Sequence, residues 1–278
     1  MVKTPGIVRI AAVGDIHLGR AAYGPPLQTL FADVAARADV LALCGDLTDR
    51  GEPEEGRQLA RVLATVGVPV VAVLGNHDYE SGKVPELSRI LAESGIQVLD
   101  GGDAAEVHGV GFAGVKGFAG GFGRRALGPW GEESIKLFVR EAVDEALKLE
   151  TSLSKLRTER RVALLHYSPI VGTVEGEPRE IYPYLGSSRL EEPLIRYPVD
   201  VVFHGHAHHG TLEGKTVGGV TVFNVSLSLL QRSFPDAPPF RVVELNIPQE
   251  RREDGPIERR MERQTDRRAE PQAGRRGG

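Results

Sequence analysis

The chain has 278 residues, 41% hydrophobic and 26% charged, which suits one large α/β domain or two small ones. Its net charge of −4 creates no strong overall field for nucleic acid or membrane, although a local basic groove stays compatible with it. A single cysteine, Cys44, excludes an intramolecular disulfide, and no apolar stretch reaches the ~18 residues that a membrane span needs.

Met1 to Gly6 lacks the apolar stretch and cleavage site of a signal peptide, so a cytoplasmic protein is expected. Ile7 to Val13 has the pattern of a buried strand, and Leu27 to Arg37 has helical spacing. Val40 to Cys44 is a second strand, with Cys44 expected as a small core residue. A second helix runs from Pro53 to Val66 with proline near its start, followed by a third strand at Val68 to Leu74. The third helix, Pro85 to Ser94, is ended by Gly95. This strand–helix rhythm implies right-handed crossovers and a parallel sheet, and the unbroken apolar runs imply strands covered on both faces.

The middle changes character. Ala104 to Val107 and Val110 to Val115 are short and glycine-bounded, as in an antiparallel hairpin carrying an exposed His108. Gly117 to Gly123 is expected to be a flexible loop. Gly131 to about Leu156 is a long helix whose apolar stripe is Ile135, Phe138, Val139, Ala142, Val143, Ala146, Leu147 and Leu149. Strands then return at Arg161 to Leu165 and Val199 to Phe203, separated by a long loop over Val171 to Ser188. Val220 to Val225 and Phe240 to Asn246 are closing strands. From about Gln249 the composition turns to Arg, Glu, Gln, Asp and Gly. Residues 249–278 are expected to be a disordered mixed-charge tail, with a short Arg-rich docking segment as the alternative.

Six polar clusters each sit where an apolar strand ends. They are Gly14-Asp15-Ile16-His17, Gly45-Asp46 through Asp49-Arg50-Gly51, Gly75-Asn76-His77-Asp78, His166, His204 through His209, and Asn224. In an open α/β sheet the carboxyl ends of the strands line the ligand crevice. Taken singly the clusters are weak: Asp15 suits an N-cap or turn, Asn76 a turn, and His166 a packed strand end. Together, two carboxylates, an amide and four imidazoles at one sheet edge demand counter-charge, which divalent cations supply. Mixed nitrogen and oxygen donors suit Mn²⁺, Fe or Zn²⁺ rather than Ca²⁺.

The run Asp-x-His, Gly-Asp-x-x-Asp-Arg-Gly, Gly-Asn-His-Asp, a distant His and Gly-His-x-His resembles the calcineurin-like metallophosphoesterase superfamily, over roughly residues 7 to 246. The resemblance implies an α/β fold of two mixed β-sheets packed as a sandwich and flanked by helices, with residues 1–248 as the catalytic domain. It implies one metal on Asp15, His17, Asp46 and His208, and a second on Asp46, Asn76, His166 and His206. It makes His77 the catalytic histidine, Asp49 the carboxylate that orients it, and Arg50 a phosphate contact. A cap role for Asp49 and a solvated role for Arg50 are the alternatives. His204 reads as a packed strand-end histidine or an orienter of a ligand. His209 is a substrate contact or an exposed residue, Asn224 a hydrogen bond at the site edge, and Asp78 a turn or supporting contact.

Two cations about 3.5–4 Å apart clamp attacking and leaving oxygens and activate a bridging water. The expected reaction is in-line attack of that hydroxide on phosphorus, with His77 protonating the leaving alkoxide. The expected substrate is a small phosphodiester or nucleotide-type ester, resembling the cyclic-nucleotide phosphodiesterase-like bacterial branch. A Ser/Thr protein phosphatase-like monoesterase is the runner-up and a nuclease third; nucleic acid and membrane partners are not expected. An inert scaffold on the same fold would have lost ligands, whereas every ligand position here is filled. Selectivity is expected from three loops: Gly117 to Arg125 with Lys116, Tyr79 to Lys83, and Glu175 to Arg189.

Overall fold

The apolar runs become eleven strands among the residues that the computed structural model describes, 6–19 and 27–247. In chain order these are β1 (Ile7–Val13), β2 (Val40–Cys44), β3 (Val70–Val73), β4 (Gln97–Leu99), β5 (Ala105–Val107), β6 (Val110–Val115), β7 (Arg160–Leu165), β8 (Val201–His204), β9 (Glu213–Lys215), β10 (Thr221–Asn224) and β11 (Arg241–Asn246). The first sheet has the order β11-β1-β2-β3-β4, parallel throughout except for β11. The second has the order β5-β6-β7-β8-β10-β9, parallel from β6 to β10 with an antiparallel strand at each edge. The expected tail, 249–278, lies outside the described residues.

The two sheets pack face to face, with β2 and β3 against β6 and β7. Alternation along the second sheet divides its side chains between two cores. Phe112, Val162, Leu164, Val201 and Phe203 meet the first sheet. Ala113, Val115, Ala163, Leu165 and Val202 meet the helical layer behind. Phe112, Phe203, Leu41 and Leu43 are fully buried, and burial of each such side chain stabilises the fold by about 1.5–3 kcal/mol. In β1 and β2 almost every residue is buried, as expected of strands covered on both faces.

The helices are α1 (Leu27–Phe31), α2 (Val34–Arg37), α3 (Pro53–Leu63), α4 (Val84–Glu93), α5 (Glu133–Lys155), α6 (Tyr182–Leu185), α7 (Glu191–Arg196) and α8 (Leu227–Ser233). The single helix expected over Leu27 to Arg37 is broken before Val34. Asp33 has left regular helical geometry there (φ −92°, ψ −4°), as aspartate prefers a helix start to a helix interior. α3 opens with a capping box between Glu52 and Glu55 and with Pro53 in its first turn. It stops short of Val66 because Thr65 and Val66 close it with tighter i→i−3 bonds. α5 is confirmed, but its inner face is rotated from the expected stripe. Val143 and Leu147 are exposed while Glu145, Ser152 and Leu153 point inward. Glu145 can be buried because its carboxylate accepts the Gly117 amide at 2.8 Å and pairs with Lys148.

The short elements β4, β9, α7 and α8 carry too little periodicity to have been expected. Gly117 to Gly123 is irregular, but it is pinned rather than loose. Gly120 and Gly121 donate to the carbonyls of Pro183 and Gly186, and Gly121 accepts from Ser188. No helix among the described residues is long and apolar enough to cross a membrane.

Candidate metal centre

Parallel pairing sends the ends of β1, β2 and β3 to the same edge as the ends of β7, β8 and β10, and hydrogen bonds tie these ends together. Asp15 N–H donates to the Gly45 carbonyl and His17 N–H to the Asp46 carbonyl, both at 2.9 Å. Gly14 N–H donates to Val225 across the sandwich. The Asp15 carboxylate accepts the His206 amide at 3.0 Å, Ser226 Oγ at 2.7 Å and His208 Nε2 at 2.9 Å. Residues nearly two hundred positions apart in sequence therefore share one carboxylate.

Asp46 lies between two groups of imidazoles. Its Oδ1 accepts the His77 amide at 2.8 Å and lies 3.3 Å from His166 Nε2. Its Oδ2 lies 3.8 Å from His17 Nε2 and 4.0 Å from His77 Nε2. Candidate ligand atoms of Asp15, His17 and His208 fall within 4.8 Å of one another, and so do those of Asp46, His166 and His206. Asn76 joins the second group, its Oδ1 at 2.9 Å from His166 Nε2. The structure thus brings together all seven residues singled out as ligands.

Backbone strain marks the same positions. Asp15, His17, Asp46 and His206 hold φ at 58°, 46°, 48° and 70°. Only one other non-glycine residue among those described does so, His108 at a hairpin tip. Such a conformation costs about 1–3 kcal/mol and persists where surrounding contacts over-determine it. Here those contacts are the cross-loop bonds just described.

Main-chain carbonyls select the ring atom each histidine presents. His166 Nδ1 donates to the Cys44 carbonyl at 3.0 Å, leaving Nε2 toward Asp46. His206 Nε2 donates to the Tyr184 carbonyl at 3.2 Å, leaving Nδ1 as its candidate ligand atom. His77 Nδ1 donates to a carbonyl at 2.8 Å, and that carbonyl is the main-chain one of Asp49. The Asp49 carboxylate instead has Oδ1 3.7 Å from His17 Nδ1. The orienting contact is therefore made by the Asp49 backbone, because the turn after Asp46 carries the side chain toward the first strand's loop. Arg50 stands at the rim, 75% exposed, with Nε 3.9 Å from Asp49.

The electrostatics fit a cation. Burial opposes ionisation of Asp15 and Asp46, yet contacts with His208, His166 and Ser226 hold both below the ordinary carboxylate range. Burial also opposes charge on His166, but Asp46 overrides it and pushes the pKa up to about 9. His208 is raised by Asp15 in the same way, against its burial. His206 and His204 are pulled down by burial to about 3 and about 4, so both are neutral. The carboxylates thus recruit protons onto histidines whose lone pairs a metal would otherwise take.

The supporting residues divide between those that sequence reasoning found and those it missed. Asp78 is buried and accepts the amides of Leu47, Thr48 and Gly75 and the hydroxyl of Thr48. His204 is a packed strand-end histidine bonded to Gly205 and Thr173, while His209 is exposed. Asn224 braces the His206–His208 turn by donating to the Ala207 carbonyl at 2.7 Å. Ser226 and Tyr167 were missed. Tyr167 packs against the His206 ring in a tilted arrangement, with 4.4 Å between centroids and 48° between ring planes. Their signal was position alone, two residues past Asn224 and next to His166.

A profile of the calcineurin-like phosphoesterase family matches residues 8–210. Among solved structures, the chain is similar to the phosphopantetheinyl hydrolase of Mycobacterium tuberculosis, with a TM-score of 0.63 and 15% identity over 86% of this chain and 97% of that one. It is also similar to the protein TT1561 of Thermus thermophilus, with a TM-score of 0.51 and 15% identity over 87% of this chain and 100% of that one. A putative 5′-nucleotidase from Staphylococcus aureus has a TM-score of 0.50 and 16% identity over 78% of this chain and 48% of that one. No curated protein matches the chain in sequence. These likenesses show the fold, and the profile spans most of the chain with Asp15, His17, Asp46, Asn76, His166, His206 and His208 all inside it: the chain belongs to the calcineurin-like phosphoesterases and is a metal-dependent phosphoester hydrolase.

Proposed function

We propose that residues 1–248 hydrolyse a small phosphodiester or nucleotide-type ester with two divalent cations, Mn²⁺, Fe or Zn²⁺. Asp15, His17, Asp46 and His208 would hold one, and Asp46, Asn76, His166 and His206 the other. The observation that carries this reading is the placement of Asp46, whose two carboxylate oxygens face different histidine groups. When bound, a cation pair offsets the charge on phosphate oxygens and activates water for attack on phosphorus.

The chain's own groups supply positioning and proton transfer. Asp46 is held on Oδ1 by the His77 amide, so its orientation is set before any ligand arrives. His77 donates Nδ1–H to a carbonyl, which can only accept, so that when the ring carries a second proton its Nε2–H is the one free to pass to the leaving alkoxide. Arg50 at the rim offers a bidentate fork to phosphate oxygens. Its exposure also supports the monoesterase runner-up, for which Gly-Asp-Leu-Thr-Asp-Arg-Gly is the sequence signal. A lone buried Cys44 suits a reducing compartment such as the cytoplasm.

The test combines metal counting with substrate comparison. Chelator-treated protein resupplied with Mn²⁺ should bind two ions per chain and cleave bis-p-nitrophenyl phosphate or cyclic AMP faster than p-nitrophenyl phosphate or a phosphopeptide. Asp46→Asn should bind fewer ions and lose turnover. Near-normal activity in that variant would refute the bridging role, and preference for the phosphopeptide would favour the monoesterase.

A further inference from the structure

Beside the His77 turn lies a crevice of about 270 Å³ that the metal chemistry leaves unused. Its near wall is Leu74 and Tyr79, which flank the Gly75–Asp78 segment. Tyr79 N–H donates to the Asn76 carbonyl at 3.1 Å, so this wall belongs to the same turn that carries a proposed ligand and the proposed acid. Lys116 lines the crevice and is tied to the metal-centre segment: its main-chain carbonyl accepts the amides of His166 and Tyr167, both at 3.0 Å. The far wall comes from α4 and β4, including Ala92 and Val98.

The lining specifies a chemistry. Its charged groups are Arg89 and Lys116 against Asp100 and Glu145, with no net charge. A second phosphate or a carboxylate would find no positive excess there. Lys116 is already engaged: Nζ donates to the Gly117 carbonyl at 2.7 Å and lies over the rings of Tyr79, Phe118 and Tyr167 at 5.2, 4.9 and 5.4 Å. Most other lining residues are aliphatic, and Tyr79 is 40% exposed as a stacking surface. The volume is just below the range of whole-ligand pockets and suits one flat ring system. A neutral planar group with apolar faces and hydrogen-bonding edges meets all of these conditions.

We propose that this crevice is a nucleobase subsite, in which the base of a nucleotide-type ester rests against Tyr79 while its phosphate reaches the metal centre. The proposal rests on the small-diester reading above and narrows its substrate class. Base–aromatic stacking of about 1–3 kcal/mol corresponds to roughly 5- to 150-fold in kcat/KM.

Two esters with the same leaving group test it: thymidine 5′-(p-nitrophenyl phosphate) and ethyl p-nitrophenyl phosphate, each with the Mn²⁺-loaded full chain. The nucleoside ester should be favoured at least fivefold in kcat/KM. Tyr79→Ser should bring that ratio close to one. Ala92→Phe, which fills the crevice from the α4 side, should do the same without touching the His77 turn. Equal kcat/KM for both esters in the unmodified protein, or a ratio that survives in the folded variants, overturns the subsite. Turnover of neither ester overturns the diester reading and the subsite together, and is distinguishable because the first failure leaves both esters cleaved.

Discussion

Asp78 is the side chain on which the geometry of the metal centre leans most heavily without being a proposed ligand, and Asp78→Ala tests that role. It is fully buried and satisfies three main-chain amides, two on the Asp46 loop and one on the Asn76 loop. A buried N–H left without an acceptor costs about 1–3 kcal/mol, so three at a middle value lose about 6 kcal/mol. Against this, burial and then the nearby Asp46 charge push the Asp78 pKa from 3.8 up to about 6. Holding it ionised at pH 7 therefore costs the fold about 3 kcal/mol, which the truncation relieves. The expected net loss is about 3 kcal/mol in urea unfolding of chelator-treated protein at pH 7.

The sign of the pH dependence is a second handle on the same residue. A carboxyl that binds its proton more tightly folded than unfolded adds stability as pH falls from about 6 toward 3.8, and adds almost none at pH 7. Near pH 5 that contribution is about 1.4 kcal/mol, so the gap between parent and variant should widen by this amount relative to pH 7. Loosening the two loops should also weaken Mn²⁺ affinity by about 10- to 100-fold, as for other groups that support ligands. A stability loss under about 0.5 kcal/mol together with unchanged Mn²⁺ affinity would refute the view that Asp78 joins the two loops.

Three further outcomes are expected. His77→Ala should keep its metal content by elemental analysis while kcat falls by about 10²–10⁴; loss of metal would make His77 a ligand. Because Asp46 raises His166 to about 9 against the effect of burial, metal uptake at pH 7.5 should release about one proton from it and tighten as pH rises. Calorimetry in buffers of different ionisation enthalpy reads this directly, and identical heats in all of them would contradict it. In Gly75→Ala the new Cβ would overlap both the amide nitrogen and Oδ1 of Asp46. Metal affinity should therefore collapse, while unfolding in urea should show that the sandwich persists; a variant with parental Mn²⁺ affinity would show that the contact is easily relieved.

The elements that bear the site were legible because they obey strong rules. β2 and β3 are unbroken apolar runs and β1 is interrupted only by Arg9; each leads into glycine and a polar cluster, so strand ends and candidate ligands announce one another. His206 follows β8 by way of Gly205, and His166 sits directly on the apolar end of β7. What remained hidden depends on contacts remote in sequence. The inward turn of Glu145 needs the Gly117 amide, and the pinning of the Gly-rich loop needs Pro183 and Gly186. The diversion of the Asp49 carboxylate toward His17 depends on the backbone path of a turn, which side-chain identity does not encode.

The glycines beside the ligands carry a second lesson. As a matter of sequence they mark sharp turns, since each precedes a polar cluster at a strand end. In the fold their decisive property is the absence of a side chain between loops. A Cβ on Gly205 would overlap Asp15 Oδ2 and meet the Cys44 carbonyl at 2.8 Å. One on Gly75 would displace Asp46. The four strained residues can hold left-handed backbone because neighbouring loops approach this closely and exchange main-chain hydrogen bonds. Glycine and ligand are thus one device, in which close approach of the loops stabilises the strain and the strain aims the carboxylates and imidazoles at a common point.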